Sequence, residues 1–140
     1  MTVINDRDTL KGYFENGDKP DETDFEKLID ASVGKIVVPL TYASNLTTDL
    51  TEGYVFTVTV TGDMEISNPT GGIDGNSYIW RVKQDGVGGH TITLGTKFKL
   101  PSSASSPLSW STTAGAMDIF VTQYDSSADL FYVVSMIPGY

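Results

Sequence analysis

The chain has 140 residues, no cysteine and a formal net charge of −9 at neutral pH. Its length suits one ordinary domain, or one domain of about 100 residues with an appendage. The lack of cysteine excludes disulfide bonds, thiolate zinc sites and thiol catalysis. The acidic balance disfavours nucleic acid as a partner, and no apolar run approaches the roughly 20 residues of a membrane span, so we expect no membrane insertion.

The first 35 residues carry helical patterning. A first helix is predicted to start near Asp6 or Asp8 and to end at Asn16-Gly17, with Leu10, Tyr13 and Phe14 on one stripe because they are spaced i, i+3, i+4.

A second helix is predicted to open at Asp21, after the turn at 17–20, and to stop at Gly34. Its stripe consists of Phe25, Leu28 and Ile29. Residues 1–35 therefore read as a helical hairpin. Burying six large apolar side chains gains less free energy than ordering about 30 residues costs, so this hairpin needs a neighbour: the β domain, a sister chain or another protein.

Residues 36–140 read as strands separated by turn signals about every 8–12 residues, with no helices between them. This pattern predicts an antiparallel β-sandwich or jelly-roll-like domain. The predicted strands are Ile36–Tyr42, Leu46–Leu50, Tyr54–Thr61, Met64–Asn68, Ser77–Gln84, His90–Leu94, Lys97–Leu100, Leu108–Ser111, Met117–Tyr124 and Leu130–Met136. The sequence shows no internal repeat.

Alternation along the strands predicts which side chains face the core. Trp80 and its alternate neighbours point inward, whereas Arg81 and Lys83 point to solvent. The segments "DIFVTQY" and "LFYVVSMI" are apolar on both faces. A strand that is apolar on both faces is buried on both sides, and in so small a domain a neighbouring subunit can supply the second cover.

Chemistry-bearing residues are few. His90 is the only histidine, and a solvated position at the start of a strand explains it better than catalysis. The acidic run from Asp18 to Glu26 is better explained by helix capping than by calcium binding, and the pair Asp63 and Glu65 by a solvated edge than by glycosidase chemistry. The runs "TGGIDG" and "DGVGGH" are turns. We therefore predict no catalytic residues, no cofactor and no metal.

Trp110, in the loop-flanked segment "PLSWSTTAG", is the candidate glycan contact because an exposed aromatic ring offers an apolar face to a sugar. A glycan-binding module that recognises a host surface is the alternative function.

The opening of the chain resembles a helical motif found near the start of many tailed-bacteriophage fibre and virion-appendage proteins. The residues that carry the resemblance are Leu10-Lys11-Gly12-Tyr13-Phe14, Gly17, Pro20, Phe25 and Leu28-Ile29-Asp30. The β part is also similar to phage structural domains, in the order of segments from "DLTEGYVFTVTV" to "AMDIFVTQYD".

The resemblance implies a non-enzymatic structural protein of a tailed-phage virion, assembled in the cytoplasm of the bacterial host: a short head or tail fibre, a decoration protein or an adaptor. It implies a homo-oligomer, with a trimer favoured, that contacts other virion proteins of the capsid, the portal or neck, or the tail. The expected docking and assembly residues are Leu10, Tyr13, Phe14, Phe25, Leu28 and Ile29.

Overall fold

A computed structural model describes residues 21–33, 37–102 and 108–140. Within these ranges one helix, α1 (Glu22–Val33), precedes nine strands. The strands are β1 (Val37–Pro39), β2 (Asn45–Leu46), β3 (Val55–Val60), β4 (Met64–Ile66), β5 (Ser77–Gln84), β6 (Ile92–Leu94), β7 (Phe98–Lys99), β8 (Met117–Asp125) and β9 (Leu130–Ile137). The first predicted helix, with Leu10, Tyr13 and Phe14, lies outside the described residues.

The strands form a six-stranded sheet in the order β1-β3-β5-β8-β9-β7 and a three-stranded sheet in the order β2-β4-β6. From β1 to β6 the chain alternates between the two sheets, because each odd strand joins the large sheet and each even strand the small one. The turns of this winding stack in register: Val37 lies beside Val55, and Val55 beside Ile79. Within this winding, from β1 to β6, neighbouring strands of each sheet are therefore parallel.

The large sheet is completed by the last third of the chain. Strand β8 pairs antiparallel with β5 and with β9, and β7 pairs parallel with β9. A β-bulge interrupts the β8–β9 ladder between Val121 and Thr122. The hairpin β8–β9 thus widens the large sheet beyond the small one.

The predicted mainly β class, with more than one sheet, is confirmed. The antiparallel arrangement is wrong in detail, because five of the seven strand pairings are parallel. Turn signals determine where a strand ends, but they do not determine whether the chain then returns to its neighbour or crosses to the other sheet. The segment Leu108–Ser111, predicted as a strand, has no strand pairing in the structure.

The core between the two sheets is centred on stacked aromatic rings. Phe56, Trp80 and Phe120 are register partners on three adjacent strands, and the Trp80 and Phe120 rings are stacked with centroids 4.9 Å apart. All three side chains are fully buried, as the alternation predicted for Trp80. The indole Nε1 of Trp80 donates to Thr48 Oγ1 at 3.1 Å, which satisfies the polar atom of the ring.

Two buried polar side chains tie loops to the core. Gln84 Nε2 donates to the carbonyl oxygens of His90 and Ser111, at 2.9 and 3.0 Å. Asp118 accepts from the amides of Ser111 and Gly139, at 2.7 and 2.9 Å. An unpaired buried polar group is costly, so Gln84 and Asp118 need these partners. The same bonds hold the segments around His90, Ser111 and Gly139, which have no strand pairing, against the core.

Candidate assembly surfaces

The large sheet has one side against the core and one side, here called the outer face, turned away from it. Its outward residues form four rows across the strands. The rows are Ser77, Gln123, Tyr132 and Lys99; Val37, Val55, Ile79, Val121 and Ser135, with Val134 in the bulge; Pro39, Thr57, Arg81, Ile119 and Ile137; and Thr59, Lys83 and Met117. Val134 is 59% exposed and Ile137 is 47% exposed. Both residues lie on β9; nearer the centre of the sheet, Ile79, Ile119 and Val121 are half-buried, Val55 is buried and Arg81 is exposed. The outer face is therefore apolar and exposed mainly along β9.

The two-sided apolar strands predicted from the sequence supply a large part of this surface. In β8, Phe120 is buried in the core whereas Ile119 and Val121 lie on the outer face. In β9, Phe131 and Val133 are buried, whereas Tyr132 and Val134 are exposed. The prediction that β8 and β9 are apolar on both faces is thus confirmed. Burial of their outward residues by a neighbouring subunit stays a prediction.

The outer face also includes Ile79 and Ile137, which the strand alternation predicted above did not identify. The signal was present for Ile79, because it lies between the inward residues Tyr78 and Trp80 and must therefore point outward. For Ile137 no such signal existed, since the bulge shifts the register of β9.

The charged side chains of the outer face are Arg81, Lys83 and Lys99, and all three are exposed. The expectation that Arg81 and Lys83 face solvent is confirmed. A chain with a net charge of −9 therefore places three cationic groups on its outer face. Such a surface favours a partner that is both apolar and acidic.

Helix α1 has those two properties. It begins where predicted: the Asp24 amide donates to Asp21 Oδ1 at 3.0 Å, and the Asp21 amide donates to Asp24 Oδ2 at 3.2 Å, a reciprocal cap. Phe25, Leu28 and Ile29 are 52%, 40% and 58% exposed. Three of the six predicted docking residues therefore form a half-exposed apolar stripe on an acidic helix, and the other three lie outside the described residues.

Trp110 lines a cleft of about 250 Å³ at the side of the domain where β6 and β7 lie. The other lining residues are Ile92, Thr93, Leu94, Gly95, Phe98, Leu100 and Leu108. The Trp110 ring is partly buried and packs edge-on against Phe120, with centroids 5.5 Å apart. Part of the ring thus belongs to the core, and the remainder faces an apolar cleft.

His90 lies in the loop between β5 and β6, which hydrogen bonds to Asp85 hold in place. Its Nε2 lies 3.0 Å from Asp85 Oδ1, and the same oxygen accepts from the amides of Val87 and Gly88, both at 2.9 Å. The Gly88 amide, the Val87 amide and His90 hold the pKa of the Asp85 carboxyl below its ordinary value. His90 is therefore partly buried and engaged by Asp85, a closer packing than the solvated position expected.

The carboxylates Asp63 and Glu65 also make structural hydrogen bonds. Asp63 Oδ1 accepts from the Thr91 amide at 2.8 Å, and this bond lowers the pKa of the Asp63 carboxyl. Glu65 accepts from the Ser67 hydroxyl at 3.1 Å. Asp63 thus links the chain before β4 to the chain before β6, whereas Glu65 bonds within its own segment.

The glycine runs lie in turns, as expected: Gly71, Gly75, Gly88 and Gly89 adopt positive φ. In the part of the chain that the structure describes, no group of three or more His, Asp or Glu side chains could hold a metal ion. Within the same residues no helix is long and apolar enough to cross a membrane.

Fold and surfaces together define a β-rich structural domain whose prominent exposed features are an apolar sheet face and an amphipathic helix. Residues 46–126 match a family model described as "Putative phage tail fibre C-terminal domain". This match covers more than half of the chain and runs from β2 to the end of β8. The chain belongs to this family: it is a phage fibre protein and a component of the virion. Comparisons with curated proteins and with solved structures gave no match.

Proposed function

We propose that the chain is a homo-oligomeric, non-enzymatic building block of the fibre, with a trimer as the favoured state. The observation that carries this proposal is the outer face, where the described residues leave Tyr132, Val134 and Ile137 of β9 exposed beside the half-buried Ile119 and Val121 of β8. Soluble monomers rarely expose large contiguous apolar patches, and such patches are typical of interaction sites. A closed cyclic assembly provides every copy with the same contact.

In this proposal the β winding projects from the particle and the N-terminal residues attach it. The attachment residues are Leu10, Tyr13, Phe14, Phe25, Leu28 and Ile29, and the partner is another protein of the capsid, the portal or neck, or the tail. The half-exposed stripe of α1 supports this arrangement. Assembly takes place in the cytoplasm of the bacterial host.

Light scattering of the full chain over a range of concentrations tests the oligomeric state. We expect the mass of a trimer at micromolar concentration and above. A monomer throughout this range contradicts the proposal.

Incorporation into particles tests attachment. Phe14→Asp and Phe25→Asp should remove the protein from assembled virions while the β domain keeps its unfolding transition. Val87→Asp is the matched control, because Val87 is 82% exposed in the β5–β6 loop and far from the N-terminal stripe in sequence. Normal incorporation of both Phe variants contradicts attachment through these residues.

Glycan recognition is a second candidate function, favoured by the position of Trp110 in the wall of an open cleft. A glycan array with the purified protein tests it. Saturable binding that is lost in Trp110→Ala, and kept in Tyr140→Ala, would support recognition. Absence of binding across host-surface glycans would contradict it.

A further inference from the structure

The cleft beside Trp110 contains the open edge of a strand. Strand β6 is the last strand of the small sheet, which has the order β2-β4-β6. Four consecutive residues, 92–95, line the cleft, so the edge of β6 faces into it. The remaining lining residues are Phe98, Leu100, Leu108 and Trp110.

The hydrogen bonds between β4 and β6 show which backbone groups are already paired. The Met64 amide donates to the Thr91 carbonyl oxygen at 2.9 Å, and the Gly95 amide donates to the Ile66 carbonyl oxygen at 2.8 Å. In a parallel pair, alternate residues of a strand bond to a given neighbour. Thr91, Thr93 and Gly95 are therefore the residues that bond to β4.

The backbone groups of Ile92 and Leu94 consequently point away from β4. Their N–H and C=O groups have no hydrogen-bond partner among the described residues. We propose that the cleft binds an extended, uncharged segment of another protein, which adds a strand to the edge of β6. This inference goes beyond the proposed function, because the proposed contact between copies lies on the outer face and not in the cleft.

The edge of β6 lacks the features that normally prevent such pairing. Exposed edge strands are usually interrupted by proline, by charged residues or by a bulge. In the large sheet, β1 contains Pro39 at one edge and β7 carries Lys99 at the other. Residues 91–95 read Thr-Ile-Thr-Leu-Gly and contain neither proline nor a charge. Strand β6 can therefore accept a further strand through backbone hydrogen bonds.

The lining of the cleft determines the kind of segment that fits. All eight lining residues are uncharged, and only Thr93 and Trp110 have a polar side-chain atom. A charged segment would lose its water there without gaining an ion pair. Since successive side chains of a strand point to opposite sides, an added strand places every second side chain towards Phe98, Leu100 and Leu108. The occupant is therefore a segment with apolar residues at alternate positions.

Two other occupants match the cleft less well. Its volume of about 250 Å³ is smaller than the roughly 300–1,000 Å³ of typical small-molecule sites, and it offers few polar side chains to the hydroxyls of a sugar. The strands of a second copy that the structure describes are already paired in its own sheets, so that copy has none of them to donate. A glycan and a second copy are outcomes of the test.

Selection from a displayed library of random octapeptides tests the proposal, with the full chain as the target. We expect enriched peptides with apolar residues at alternate positions. Leu108→Asp puts a charge into the lining and should bind these peptides about tenfold more weakly or worse. Ser109→Asp is the matched control and should bind them normally, because Ser109 is exposed and lies outside the lining.

Hydrogen exchange of the natural protein provides a measurement that needs no variant. A selected peptide should slow exchange of the Ile92 and Leu94 amides about tenfold or more, and should change the Thr93 amide much less, since that residue already bonds to β4. Methylation of the peptide nitrogens that face β6 should abolish binding. Methylation of the alternate nitrogens should not.

The remaining outcomes overturn the inference. Failure to enrich peptides over Leu108→Asp, or binding without protection of Ile92 and Leu94, shows that β6 accepts no strand. Saturable glycan binding that is lost in Trp110→Ala, with no selected peptide, assigns the cleft to the second candidate function. A smaller mass of folded Leu108→Asp in light scattering shows that a second copy occupies the cleft. The oligomeric state of the natural chain is measured separately, so the proposed function can fail or hold independently.

Discussion

Thr48 and Thr122 show how much the environment of a single hydroxyl matters. Both side chains are fully buried. Thr48 Oγ1 accepts the Trp80 indole proton, whereas Thr122 Oγ1 has no hydrogen-bond partner among the described residues. The same residue type is thus satisfied at one position and unsatisfied at the other.

We predict opposite effects for the same substitution at these two positions. Thr48→Val leaves the buried indole N–H unpaired and should lower the free energy of unfolding by about 1–3 kcal/mol. Thr122→Val removes an unpaired hydroxyl and should leave it unchanged or raise it by about 1 kcal/mol. Denaturant unfolding measures both. Equal losses would show that packing, and not hydrogen bonding, decides the cost.

Several exposed or partly buried carboxylates act through bonds that require the charged form. The pKa of Asp129 is lowered by Lys97 and by the Tyr124 hydroxyl, and the pKa of Asp125 is lowered by the Ser127 hydroxyl and neighbouring amides. Asp63 and Asp85 are shifted in the same direction. Since each folded-state pKa lies below the unfolded one, the unfolded chain takes up protons first as the pH falls.

We therefore predict that stability is constant between about pH 5 and about pH 9 and falls progressively below about pH 4, where the carboxylates of the unfolded chain become protonated. Asp85→Asn should make the melting temperature less dependent on pH in the acid range, because the variant lacks a carboxyl that the unfolded chain protonates before the folded one. Glu26→Gln removes one negative charge from α1 and is the control. An unchanged acid slope in Asp85→Asn contradicts the assigned role of this loop.

At the scale of elements, the loop between β5 and β6 explains why a glycine run lies there. Gly88 has φ +72°, and a Cβ at this position would lie 2.6 Å from the Ala114 amide nitrogen and from the Thr112 carbonyl oxygen. Two residues earlier, a Cβ on Gly86 would meet nothing within 4 Å. The run therefore contains two glycines at positive φ, Gly88 and Gly89, and one, Gly86, whose position also has room for a side chain.

We predict that Gly88→Ala lowers the free energy of unfolding by about 2 kcal/mol or more, through backbone strain and a contact with backbone that cannot yield. Gly86→Ala should be neutral or stabilising by up to about 1 kcal/mol. Thermal or denaturant unfolding compares the pair. A neutral Gly88→Ala would contradict the tight approach of this loop to the segment 112–114.

At the scale of the whole molecule, the parallel winding brings residues of β1, β3 and β5 side by side, and among the described residues the apolar side chains of β9 stay exposed on the outer face. The net charge of −9 opposes random contact between copies, whereas the outer face carries the cations Arg81, Lys83 and Lys99. In the proposed assembly, charge therefore favours contact through the outer face over general aggregation.

Val134→Asp tests whether copies associate through the outer face. Val134 is the extra residue of the bulge and is exposed on the outer face, so a carboxylate there should weaken self-association at least tenfold without lowering the stability of the single copy. Thr93→Asp adds the same charge to the small sheet and should leave association unchanged. Light scattering over a dilution series measures both, and equal behaviour of the two variants would show that the outer face is not the contact.

Local patterns in the sequence determined most of the elements and their faces. The opening of α1 at Asp21, the inward position of Trp80 and the two-sided character of β8 and β9 all depend on spacings of two to four residues, which the backbone geometry of helices and strands imposes. Family membership also follows from the sequence, through the match over residues 46–126.

Only the tertiary structure decided how the strands pair. Whether Val55 lies beside Val37 and Ile79 in a parallel winding depends on the path of the connections, which no local spacing encodes. The sequence shows no repeat, although the chain crosses between the two sheets repeatedly, so the winding could not be recognised from a repeated motif. The outer face appeared only when residues distant in sequence, from Val37 to Ile137, were brought side by side, because a surface is made by neighbours in space.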